Sequence, residues 1–124
     1  LLHDCGIAAL ESSGQPYLCH GLLGAELLRT IDLQAEALVC ERHVGLGFTA
    51  DEIRSAKLPL PERDFLPLSL EEQLVCLADK FYSKNPTHPE RERSLDELRA
   101  QASRWGRASR ERLESLLRRF GLDG

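Results

Sequence analysis

The chain has 124 residues, of which 42% are hydrophobic and 29% charged, with a formal net charge of −4. This suits one globular domain over residues 1–124 with a single core, and the acidic balance argues against general affinity for nucleic acid backbones, so no stable nucleic acid complex is expected. No apolar run approaches the roughly 20 residues that span a bilayer and no signal-peptide pattern is read, so a cytoplasmic location is expected.

Taken in order, residues 1–11 read as the end of a helix, and Ser12 to Tyr17, with Gly14 and Pro16, as a loop. Because the chain opens on Leu1 without methionine, an upstream segment is expected. The spacing predicts a helix from Cys19 to about Thr30 with Leu23, Leu27 and Leu28 on one face. Another runs from about Leu33 to His43, with Leu33, Ala37 and Cys40 on a stripe that carries His43. Thr49 and Glu52 form a capping box before a short helix, and the three prolines between Leu58 and Leu68 make that stretch a long connection and a candidate rim or lid. Ser69 and Glu72 open the clearest helix, about Leu70 to Lys84, with Leu70, Leu74, Leu77, Ala78 and Phe81 expected in the core and Asp79 on its shoulder. After a polar loop from Asn85 to Arg93, containing an exposed His88, Ser94 and Glu97 cap a helix to about Trp105. A last helix, Ser109 to Phe120, sets Leu113, Leu116, Leu117 and Phe120 opposite a row of arginines. No convincing period-2 run occurs, so the expected fold is all-α, a compact bundle of about six helices with a C-terminal hairpin over 94–120.

The chemistry is concentrated in His3 and Asp4, adjacent metal-ligand residue types. Neighbours on a helix point about 100° apart, so such a pair converges only at a helix end, where Gly6 would help the turn. His20, His43 and Asp79 lie on apolar segments downstream, and a carboxylate such as Asp79 is costly there without a partner. Imidazole and carboxylate together suit Mn, Fe, Co, Ni or Zn, with Mg as an option, and five ligands suggest two ions about 3.5–4 Å apart.

Four motifs carry a resemblance: Leu-Leu-His-Asp-x-Gly at 1–6, His-Gly-x-x-Gly-Ala-Glu at 20–26, Glu-Arg-His-x-Gly-x-Gly at 41–47 and Ala-Asp-Lys-Phe at 78–81. In this order they resemble the HD-domain metal-dependent phosphohydrolases over a metal-site core of residues 1–84. The resemblance implies that His3 and Asp79 hold one divalent metal, His20 and His43 a second, and that Asp4 bridges both. A metal-bridged hydroxide would then cleave a phosphomonoester or phosphodiester of a small, nucleotide-like metabolite, with Lys80 and Arg63 clamping the phosphoryl charge. The sequence departs from that family in lacking a histidine upstream of His3 and in carrying Ile7 where some relatives have a lysine. The alternative is a catalytically impaired HD module acting as a metal- or nucleotide-binding sensor or assembly domain. Under either reading a homo-oligomer is possible. The four cysteines, 5, 19, 40 and 76, are expected to be reduced and to fill helix contacts, although Cys40, His43 and Cys76 could form a structural zinc site.

Overall fold

Seven α-helices and two 3-10 turns build the protein in the computed structural model, which describes residues 2–82 and 92–123. In chain order the helices are α1, Ile7–Ser13; α2, His20–Thr30; α3, Gln34–Arg42; α4, Ala50–Ala56; α5, Leu70–Phe81; α6, Leu95–Arg104; and α7, Arg107–Arg119. Isolated bridges are the only β pairing among the described residues, so the fold is all-helical as expected. No helix among them is long and apolar enough to cross a membrane. Lys84, the loop from Asn85 and His88 lie outside the described residues.

The first eleven residues do not form the single helix end that was expected. Leu2–Asp4 is a 3-10 turn, and the helix restarts at Ile7 after Gly6 and continues to Ser13. The reason is a crossing: Gly6 lies against α2 so closely that an added Cβ would stand 1.9 Å from the His20 carbonyl oxygen and 2.5 Å from the Gly24 nitrogen. Small residues dictate the packed face of α2 in the same way. Its buried positions are His20, Gly21, Gly24, Ala25 and Leu28, while Leu27, expected inside, is 49% exposed. Hydrophobicity alone favoured the leucines; close backbone approach selected the glycines.

Three apolar clusters hold the helices together. Ala25, Leu28, Ala37 and Cys40 join α2 to α3, with Leu33 alongside, in agreement with the stripe read from the sequence. Phe48, Ile53 and Phe65 form a second cluster with Leu58 and Leu60, and Phe48 and Phe65 exchange backbone hydrogen bonds of 2.7 and 3.2 Å. The proline-bearing connection is therefore tied into the core and is not a lid. The third cluster joins Leu46, Cys76 and Leu77 to Leu98, Ala102, Leu113, Leu116 and Leu117, which packs α6 and α7 against α5.

In α5 the apolar pattern misjudged the inward direction. Leu70 and Leu74 are each 52% exposed, and Ala78 is exposed too, whereas Glu72, Cys76 and Leu77 are buried. Polar partners turn the helix: Glu72 accepts a 2.5 Å hydrogen bond from Arg42, and Lys80 donates to the His43 carbonyl at 2.9 Å. The Ser69 capping box is complete, its hydroxyl accepting from Glu72 N–H while the Glu72 carboxylate accepts from Ser69 N–H. Ser69→Ala is expected to lower the unfolding free energy by about 1 kcal/mol, read as a shifted denaturation midpoint at unchanged slope.

Candidate functional site

All five residues singled out as ligands come together. The 3-10 turn lays His3 and Asp4 over α3 and α2, His20 starts α2, His43 follows α3, and Asp79 comes from the last turn of α5. Asp4 is the centre: one oxygen lies 3.2 Å from His43 Nε2 and 3.4 Å from His20 Nε2, and the other lies 3.1 Å from His3 Nε2. His3 Nε2 also reaches Asp79 at 3.2 Å, and Asp79 accepts from Lys80 at 2.8 Å.

Backbone carbonyls fix two of the imidazoles. His20 Nδ1 donates to the Tyr17 carbonyl at 2.7 Å and His43 Nδ1 to that of Cys40 at 2.6 Å, since a carbonyl can only accept. In the neutral rings each Nε2 therefore carries a lone pair, and the two lie 3.0 Å apart beside the Asp4 carboxylate. Such a triangle of acceptors is satisfied only when a proton or a small cation lies among them. Geometrically a cation has room, because His3, Asp4 and His43 each bring a ligand atom within 4.8 Å of the others. It is the one such group among the described residues, where two ions were expected.

Charge is unevenly shared across the cluster. Hydrogen bonds to Asp4 and then Asp79 raise the His3 pKa to about 9, so this ring is an imidazolium at neutral pH. Burial alone would lift Asp79, but His3 and Lys80 outweigh it and hold the carboxyl well below the usual carboxylate range. Burial pushes His43 the other way, below its ordinary value, against the opposing pull of Asp4 and the Cys40 carbonyl. The site thus pairs a cationic His3 with a His43 that favours the neutral, basic form.

The other expected participants divide. Lys80 lines the cavity beside the cluster, along with His20, His43 and Asp79. Arg63 does not: its guanidinium donates to the buried Glu41 at 2.7 Å and lies 4.2 Å over the Phe65 ring. The zinc alternative is not assembled: the ligand types that converge among the described residues are His3, Asp4 and His43, while the Cys40 thiol donates to the His3 carbonyl at 3.0 Å and Cys76 to the carbonyls of His43 and Gly45. Sequence reasoning missed Tyr17, Tyr82, Arg93 and Trp105, which also line the cavity of about 390 Å³. The available signal was compositional, since the chain has only two tyrosines and one tryptophan.

The chain shares 34% identity over 84 residues with a tRNA (cytidine(56)-2'-O)-methyltransferase of Picrophilus torridus, and 33% over 85 residues with the protein of the same name from Thermoplasma volcanium. Both named relatives are tRNA methyltransferases. Each match takes in 67% of this chain and 23% of the relative. An uncharacterized protein of Methanocaldococcus jannaschii is 41% identical over 82 residues, 65% of this chain and 44% of that protein. The chain thus spans less than half the length of these relatives. No family model matches, and no solved structure matches.

These relatives correct the reading taken from the motifs. The named proteins are methyltransferases, which overturns the assignment to the HD-domain phosphohydrolases, and with it both the phosphoester-cleaving function and the sensor alternative. The expected divalent-metal cofactors are withdrawn on the same finding, as is a small phosphorylated metabolite as partner; the named relatives act on tRNA, against the expectation of no nucleic acid complex. The physical reason is that histidine and aspartate serve metal binding and proton transfer alike, so their spacing fixes convergence and leaves open what sits among them.

Proposed function

We propose that the chain works in tRNA 2'-O-methylation, as a helical module of the kind contained in the two archaeal methyltransferases. The observation that carries this reading is the one-third identity to both of them across two thirds of the chain.

The chemistry needed at a ribose is removal of the 2'-hydroxyl proton as the oxygen takes up a methyl group. The cluster offers an acceptor for it: the Nε2 atoms of His20 and His43 converge on the Asp4 carboxylate, His43 favours the neutral form, and His20, His43 and Asp79 border the cavity. His3 and Lys80 supply fixed positive charge beside that acceptor, which suits an oxygen gaining negative charge.

In open α/β sheets, nucleotide-like ligands such as the methyl donor S-adenosylmethionine lie in a crevice at the carboxyl ends of the strands, and the described residues, which contain only isolated bridges, do not build a crevice of that type. No step is therefore routed through the donor, and the share of this chain is on the RNA side.

Equilibrium binding to a tRNA transcript, followed over a range of salt, tests the reading. The transcript is expected to bind with a shallow salt dependence, because a chain of net charge −4 makes few phosphate contacts. Absence of binding to any tRNA at low salt would sink it.

A further inference from the structure

All of the tyrosine and tryptophan in this chain lies at one place. Tyr17, Tyr82 and Trp105 come from three separate segments, yet each lines the same cavity. They remain 59, 55 and 50% exposed. The four phenylalanines behave in the opposite way, with Phe48 and Phe65 buried and Phe81 and Phe120 partly buried. Aromatic rings usually contribute by being buried, so rings held open around a cavity point to a planar ligand.

The rings are also held in position. Tyr17 lies tilted by 37° against His20 at a centroid distance of 4.5 Å, and Trp105 packs at 70° against Phe48 at 5.5 Å, an edge contact that leaves indole surface toward the cavity. Polar groups lie among them: Lys80, tied to Asp79, and Arg93, which donates to Gln101. A volume of about 390 Å³ is at the small end of ligand pockets and admits one base with its ribose. A stacked duplex cannot present a base to a concave site, whereas an unpaired loop can.

We infer that this cavity binds a single unstacked nucleobase of an RNA loop, with Trp105 and Tyr17 as stacking surfaces and the His43 side of the cluster facing the attached ribose. The choice of RNA over a free nucleotide rests on the tRNA reading above; the aromatic site itself rests on the geometry.

Trp105 is the sole tryptophan, so its emission reports directly on the site. The experiment titrates the full chain with a short unstructured RNA, the same sequence as a duplex, and cytidine 5'-monophosphate. In parallel, anisotropy of labelled RNA is followed with wild type, Trp105→Ala and Tyr17→Ala, each checked for a folded circular dichroism spectrum. Single-stranded RNA is expected to quench Trp105 saturably and duplex RNA to fail, and each variant should bind the single strand about tenfold or more weakly. RNA binding with unchanged emission and undiminished affinity of both variants would refute the base site while leaving the tRNA reading intact. Quenching by the mononucleotide alone, with no RNA bound, would refute the RNA source and the tRNA reading together. If no probe quenches Trp105, the aromatic cavity is not a base site.

Discussion

Gly6→Ala is expected to cost about 3–5 kcal/mol of stability and to disperse the histidine cluster. The added methyl would lie 1.9 Å from the His20 carbonyl oxygen and 2.5 Å from the Gly24 nitrogen, both backbone atoms on the first turns of α2. Side-chain overpacking can relax through rotamers at a typical cost of about 1–3 kcal/mol, but backbone on the far side of the contact has no such freedom. Either α2 moves as a body or the 3-10 turn lifts away from it. The second route carries His3 and Asp4 off His20 and His43, so the stability loss and the site loss have one cause. Denaturant unfolding measures the first, and the histidine ring signals in a proton NMR titration measure the second. A variant as stable as wild type, with unchanged histidine titrations, would show that the close crossing is wrong.

The second large effect depends on pH. His3 has a folded pKa of about 9 against an ordinary value of 6.5, so its ion pairing contributes stability that is fully present below pH 6.5 and is lost as the pH rises to about 9. Asp79 is shifted downward from 3.8, so its contribution is present above that value and is lost as the pH falls toward its folded pKa. The two statements describe one interaction, which is strongest between about pH 4 and 6.5. Asp79→Asn keeps the shape and removes the charge, leaving Lys80 beside a neutral amide and His3 with Asp4 as its carboxylate partner. Breaking a fully buried pair costs about 3–5 kcal/mol; these side chains are 13–22% exposed, and solvent screening reduces the expected loss to about 2 kcal/mol near pH 6. The difference between wild type and variant should shrink as the pH approaches 9. A loss that is constant across that range would mean that the Asp79 charge is not coupled to His3.

Much of the helical order was legible because its signals are local. Ser69 with Glu72, and Ser94 before Glu97, mark helix starts through short-range hydrogen bonds, and both starts are found where they were read. The Leu113, Leu116 and Leu117 face of α7 is equally local in origin. The convergence of His3, Asp4, His20, His43 and Asp79 was legible too, since polar residues on apolar helices must find partners. What failed depends on contacts distant in sequence. Leu27, Leu70 and Leu74 were placed inside by hydrophobicity, whereas the packed faces are set by Gly21 and Gly24 against α3, Cys5 and Gly6, and by Glu72 and Lys80 reaching Arg42 and the His43 carbonyl. Arg63 looked free to meet a substrate because its partner Glu41 is 22 residues away in sequence.

The role read from the cluster failed for a chemical reason. Asp4 touches three imidazoles, an arrangement that a cation or a proton can satisfy, and residue identity does not choose between them. Nor does a net charge of −4 exclude nucleic acid as a partner, because an acidic chain can still present a local aromatic surface to unpaired bases. Tyr17, Tyr82 and Trp105 are scattered in sequence and meet only after α2, α5 and α6 have packed.

The most direct test of a role in tRNA 2'-O-methylation is ribose-reactivity probing of a tRNA transcript, free and bound to the full chain. A localised change at and beside cytidine 56, the nucleotide named for both methyltransferase relatives, is the expected result, and it should weaken with Trp105→Ala. A reactivity profile that is the same with and without the protein, or that changes evenly along the paired stems, would contradict it.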